Sequence, residues 1–188
     1  MAYTTIDNPE LYFQTKLYAG NGSSQSITFD GSEDMQPDWV WIKSRTDTRK
    51  HNLYDVVRGA NKRLVSNLDS AEDQPDNNAG VNAFNSNGFS LGDSTTVNNG
   101  DGGIYSSFVS WTFRKQPKFF DVVTYTCTSS AQAIRHNLGS VPGMIMVKCT
   151  NDTGNWRVYH SGLDGGNAPE DYVINLNLTN ILTSRFSF

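Results

Sequence analysis

A chain of 188 residues with 37% hydrophobic and 12% aromatic content holds enough apolar matter for one or two packed domains, which excludes a disordered polymer. Its net charge of −4, from 15 basic and 19 acidic residues scattered along the sequence, leaves no basic footprint for nucleic acid or an anionic membrane. No apolar run approaches the roughly 20 residues that cross a bilayer, and a start bearing Asp7 and Glu10 without a basic stretch does not read as a secretory signal, so folding in the cytosol is expected.

Residues 1–16 form an apolar arm. Tyr3, Ile6, Leu11, Tyr12 and Phe13, interrupted by Pro9, are too few to build a core of their own. They are read as a segment that docks on another protein, with packing on their own domain as the alternative. From residue 17 to 117 apolar residues recur at every second position in short runs punctuated by Gly, Asn, Asp and Ser, which is the period of strands. Strands are predicted at Lys16–Ala19, Gln25–Phe29, Asp38–Lys43, His51–Asp55, Gly88–Leu91 and Tyr105–Arg114.

In the third of these, Val40 and Ile42 point to one face and Trp39 and Trp41 to the other. Both faces are apolar, so this strand is expected to be central and the least exposed. One side should lie in a sandwich core, the other under a loop or a neighbouring domain. Asn87-Gly88, between Phe84 and Phe89, is a hairpin turn, and Asn98 to Gly103 is a longer loop of the same chemistry. Ser66 to Ala79, polar and carrying Pro75, reads as a mobile surface excursion. After a short connection at Lys115–Lys118, residues 118–188 offer strands at Val122–Cys127, Ala131–Arg135, Trp156–His160 and Tyr172–Leu176.

These two stretches echo one another. Pro37-Asp38-Trp39-Val40-Trp41-Ile42-Lys43 is answered by Pro142-Gly143-Met144-Ile145-Met146-Val147-Lys148, and Tyr54 and Tyr159 each follow their lysine by the same interval. The offset is 125 − 18 = 107 at the start of the echo and 142 − 37 = 105 thereafter. Such a period suits a repeated domain rather than a solenoid unit. The second copy lacks counterparts of Phe84, Phe89 and the run Tyr105–Phe113, so it is incomplete. Continuation of the native polypeptide beyond Phe188 is the favoured source of the missing strands, and another chain the alternative.

Catalytic patterns are weak. His51, His136 and His160 sit in no metal-binding spacing and read as strand-end or loop residues. There is no G-x-S-x-G elbow and no phosphate-cradling glycine loop. Asp93 and Asp101 lack the spacing of a calcium loop and read as turn residues. Cys127 and Cys149 fall on neighbouring candidate strands, where a bridge is conceivable, but in a cytosolic product they are read as free and buried. Trp39, Trp41, Trp111 and Trp156 could stack on sugar rings, although tryptophan in strand alternation is more often core. A carboxylate pair for glycoside hydrolysis cannot be read from spacing, but the acids differ between copies, with Gly143 at the place of Asp38 and His160 at that of Asp55.

The successions Tyr18-Ala19-Gly20-Asn21-Gly22, Gln36 to Lys43, Tyr54 to Ala60, Phe84 to Gly92 and Val109-Ser110-Trp111-Thr112-Phe113 resemble a tandem domain of virion proteins of tailed bacteriophages, notably those of marine cyanobacteria. Phe120 to Tyr125, His136 to Ile145 and Val158-Tyr159-His160 carry the resemblance through the second stretch. It implies an all-β fold of lectin-like, jelly-roll β-sandwiches in tandem, with the second copy truncated. It also implies a non-enzymatic tail-fibre or appendage protein, without cofactor or metal, assembled in the host cytoplasm into the virion. The arm holding Tyr3 and Ile6 would attach to other virion proteins, and fibres of this sort are commonly homotrimers. The alternative function is a carbohydrate-binding, lectin-like module that contacts a host surface glycan; a depolymerase is the weakest reading. Likeness of fold does not by itself establish function.

Overall fold

Alternating β-branched and aromatic residues become strands where a neighbouring strand can take up their backbone hydrogen bonds. The computed structural model describes residues 6–75, 78–101, 106–179 and 183–184. Among them the strands are β1 (Phe13–Ala19), β2 (Gln25–Ile27), β3 (Trp39–Ser44), β4 (Asn52–Asp55), β5 (Leu64–Val65), β6 (Val81–Asn85), β7 (Gly88–Leu91), β8 (Ser107–Phe113), β9 (Met144–Val147), β10 (Arg157–His160), β11 (Tyr172–Asn175) and β12 (Thr183–Ser184). One helical turn, α1 (Thr95–Asn98), and short 3-10 turns complete them. The strands pair antiparallel, so the fold is all-β. Two expected positions, Tyr3 and Tyr105, lie outside the described residues.

The chain divides into two compact units, Met1–Arg63 with Asp73–Ser140, and Leu64–Glu72 with Val141–Phe188. These bounds differ from the expected 1–16, 17–117 and 118–188. Phe13 to Lys16 are already sheet, laddered opposite Phe113 to Ser110. Residues 118–140 cluster with the first unit, and the presumed surface excursion begins inside the second. There Ser66 is buried, the Val65 carbonyl accepts the Trp156 indole N–H at 2.9 Å, and the Asp69 carbonyl accepts the Gly154 N–H at 2.8 Å.

In the first unit four strands lie side by side in the order β1-β8-β3-β4, and β2-β7-β6 form a second sheet. Ile27, Val81, Phe89 and Leu91 from the second sheet meet Val40, Ile42, Tyr54 and Phe108 from the first in one buried core. Fully burying a side chain of this size contributes roughly 1.5–3 kcal/mol. Gly88 closes the β6–β7 hairpin at φ +110, where a Cβ would stand 1.9 Å from the Ile27 carbonyl oxygen, so only glycine fits. A buried pair fixes the turn after β4. The Asp55 carboxylate accepts from the Arg58 guanidinium at 2.5 Å and from the Val57 and Arg58 backbone N–H groups, while Arg58 also donates to the Lys62 carbonyl.

The second unit has one sheet, in the order β12-β11-β10-β9, over buried Trp156, Val158 and Val173. Its β9–β10 hairpin repeats the register of β3–β4. Trp39 opposite Asp55 becomes Met144 opposite His160, and Ile42 opposite Asn52 becomes Val147 opposite Arg157, with 144 − 39 = 105 and 160 − 55 = 105. The Lys43 ammonium donates to the Ser44 and Asp47 carbonyls, and the Lys148 ammonium to those of Cys149 and Asp152.

Four expectations need correction. β3 is central, between β8 and β4, but β4 is more thoroughly buried than it, because all four of its residues lie inside. β9 is not central: it ends its sheet, with Met144 and Ile145 exposed, because no described strand lies on its outer side. Val122–Cys127 and Ala131–Arg135 form no strands, since no described segment ladders with them. Local geometry survives there without a ladder among the described strands. Gln25 Nε2 donates to the Ala19 carbonyl at 3.0 Å and Gln132 Nε2 to the Thr126 carbonyl at 3.1 Å, each six residues back. Cys127 and Cys149 are free, but both are exposed rather than buried.

Candidate functional site

Side chains at paired positions of a sheet point to the same face, so register alone assembles the outer surface of the large sheet. Phe13, Phe113 and Trp39 form its first row, Thr15, Trp111 and Trp41 the second, and Leu17, Val109 and Lys43 the third. In the first row the Phe13 and Phe113 rings stand 4.8 Å apart and those of Phe113 and Trp39 5.2 Å apart. Phe120 closes over this row, 5.0 Å from Phe113 and 5.7 Å from Trp39, and Phe119 stacks on Phe113 at 6.0 Å. A loop therefore covers that end, as expected for a strand apolar on both faces.

The other two rows stay half-open. Trp41 and Trp111 meet edge to face at 6.2 Å, both half-buried, and His51 lies 6.1 Å from Trp41. Leu17 is 58% exposed, enough to leave most of an aliphatic side chain in water. Burial, and secondarily the nearby Lys43 charge, push the His51 imidazole below its ordinary range, so it is neutral at physiological pH. The result is an aromatic shelf with one neutral imidazole and one ammonium at its margin. Such a shelf can stack on the apolar face of a planar ligand or ring, or pack against another protein surface.

A second concavity, of about 320 Å3, opens between the loops carrying Ser23, Ser24, Asn78, Gly92 and Asp93 and the start of β6 at Asn82. Its walls are held by the buried Asn98. The Asn98 amide oxygen accepts from the Asn21 N–H at 2.9 Å and Gln25 Nε2 at 2.6 Å, and its amide nitrogen donates to the Ser23 and Gly92 carbonyls, each at 2.6 Å. All four of its hydrogen-bonding positions are thus used. The cleft is polar and has no aromatic side chain in its lining, so it offers no stacking platform.

Of the arm residues, Ile6, Leu11, Tyr12 and Phe13 are all half-buried. Phe13 is the first residue of β1, the Tyr12 carbonyl accepts the Arg114 N–H at 2.8 Å, and Pro9–Leu11 form a 3-10 turn capped by the Asn8 side chain. Glu10 is tied to Ser32, whose hydroxyl and N–H hold the carboxyl below its usual range. Among the tryptophans, Trp39 and Trp156 are buried, leaving Trp41 and Trp111 as the half-open pair. The His136 and His160 imidazoles accept N–H groups two residues on, from Leu138 and Gly162, as loop residues do. No group of three or more His, Cys, Asp or Glu side chains able to hold a metal occurs among the described residues. No helix among them is long and apolar enough to cross a membrane.

Sequence reasoning missed the role of Asn98, which it placed in a loop. Its only signal was an asparagine within a run of turn residues, and only the fold brings Asn21, Ser23, Gln25 and Gly92 around it. The register of both hairpins, by contrast, follows the echo in the sequence. Residues 8–187 match a family described as a domain of unknown function, DUF7483. The chain belongs to this family. The DUF7483 match takes in both compact units, including both hairpins, the aromatic shelf and the polar cleft. No curated protein and no solved structure matches the chain.

Proposed function

We propose that this DUF7483 chain is a non-catalytic structural protein of a bacteriophage virion. It serves as the proximal, anchoring part of a tail fibre or similar appendage for host attachment, built from tandem jelly-roll-like β-sandwich modules. The observation that carries this reading is the repeated hairpin, in which β9–β10 reproduces the β3–β4 register and its lysine-bound turn. Duplicated β-modules joined end to end suit a load-bearing appendage. The acids are not kept between copies, as Asp55 and His160 show, which favours a scaffold over a duplicated catalytic centre. In this reading the chain is a homotrimer located in the virion, assembled in the host cytoplasm, with other virion proteins as partners of the segment around Tyr3, Ile6, Leu11, Tyr12 and Phe13. Electron microscopy of particles lacking the gene tests it: loss of an appendage is expected, and a full set of fibres would sink it.

The second reading is a lectin-like module that binds a host surface glycan, favoured by the half-open Trp41–Trp111 pair. A glycan array distinguishes it. Binding by the intact chain that disappears in Trp111→Ala would promote this reading above the first.

A further inference from the structure

The outer edge of β9 presents a row of backbone groups that β3 spends on β8. In the first unit the Arg45 N–H donates to the Ser107 carbonyl at 2.8 Å, so Trp39, Trp41 and Lys43 turn their N–H and C=O groups to β8, as antiparallel alternation requires. In the second unit the Ser161 N–H donates to the Gly143 carbonyl at 2.8 Å, so Gly143, Ile145 and Val147 turn theirs to β10. Met144, Met146 and Lys148 therefore turn outward, to the side with no described strand. At Thr150 the carbonyl already accepts the Glu72 N–H at 2.8 Å, which limits the open stretch to Met144–Lys148.

Burial shows what covers β3. Val40 is 0% exposed, whereas its counterpart Ile145 is 43% exposed; Trp39 is 7% exposed and its counterpart Met144 51%. β9 is a short edge strand, Met-Ile-Met-Val, with no proline and no charge until Lys148 ends the open stretch.

We propose that the outer edge of β9 accepts one antiparallel strand from a separate polypeptide, in the register that β8 has against β3. The geometry sets the chemistry of that partner: aromatic or aliphatic residues opposite Met144, Met146 and Lys148, where β8 places Phe113, Trp111 and Val109. Small hydroxyl residues stand opposite Ile145 and Val147, where β8 places Thr112 and Ser110. The β8 of a second copy does not fit the role, because it is held on both edges, by β1 and β3. The acceptor role rests on the matched hairpins alone and holds whether or not the chain belongs to a virion.

The probe is a labelled peptide of sequence Ser106–Arg114 added to the full chain, read by fluorescence anisotropy and residue-resolved amide hydrogen exchange. Saturable binding is expected, with new protection at Met144, Met146 and Lys148, whereas Ile145 and Val147 are protected with or without peptide. Met146→Pro removes an outward N–H without touching the bonds to β10 and should weaken binding about tenfold or more. Met146→Ala keeps that N–H and should stay within about threefold. If the variant fails to fold, exchange in the unsubstituted chain still decides. Absence of new protection at the three amides, protection confined to the first unit, or protection that appears without peptide as the chain self-associates would each overturn the proposal.

Discussion

The β3–β4 and β9–β10 hairpins have one register and two fates. In the first, Trp39 and Val40 are buried; in the second, Met144 and Ile145 face solvent although they occupy the matching rungs. A hairpin's register comes from its own alternation and turn, which the two hairpins share down to the lysine that donates to the turn carbonyls. Its burial comes from neighbours distant in sequence. β8 on one edge and the β2-β7-β6 sheet above supply those neighbours in the first unit.

Breaking what is peculiar to the first hairpin should cost most. Asp55 lies buried against Arg58, and the matching position is His160. Asp55→Ala strands the Arg58 charge and is expected to destabilise by about 3–5 kcal/mol in urea unfolding. Next comes the contrast within the shared pattern. Ile42→Ala in the sealed hairpin should cost about 3 kcal/mol through lost burial and a cavity, and Ile145→Ala on the open edge within about 0.5 kcal/mol. Equal costs, followed unit by unit through hydrogen exchange, would show that the two hairpins are not differently covered.

Asn98 tests whether the rigidity of the first unit also depends on pins outside the hairpin. Asn98→Ala should cost about 2 kcal/mol, short of the sum of four lost bonds because the exposed Ser23 loop and the half-buried Gln25 side chain at the start of β2 can turn to water. The smallest effect is the pH dependence of His51, whose counterpart in the second hairpin is Trp156. Its folded pKa lies below the ordinary 6.5, mainly through burial. The neutral form is thus favoured on folding, and the stability it contributes is present above that ordinary value and lost as pH falls through the folded pKa. Between about pH 7 and about pH 5 the Tm of the unsubstituted chain should fall more than that of His51→Gln.

Much of the strand pattern was legible. Gly88–Leu91 forms as read, and β3, β4, β8, β10 and β11 lie within a residue or two of the expected spans. The Asn87-Gly88 turn was readable because a positive φ at closest approach to Ile27 leaves glycine no substitute. The aromatic shelf was half legible: alternation put Trp39 and Trp41 on one face, but only the β1-β8-β3 register brings Trp111 beside Trp41 and Leu17 onto the same face. The buried tie of residues 64–72 was not legible, because polar composition says loop and does not say what the loop packs on.

By itself the sequence determined the period of the strands, the turns that join neighbouring hairpin partners, and the echo that gives two hairpins one register. Whether an alternating segment becomes a strand was decided only by the tertiary structure. Val122–Cys127 alternates as well as β1 does and keeps the matching glutamine bond, yet ladders with no described strand, while β1 ladders along β8 for seven residues. The reason is that a helix satisfies its backbone within its own segment, whereas a strand needs N–H and C=O groups from elsewhere in the fold, and no local pattern can supply them.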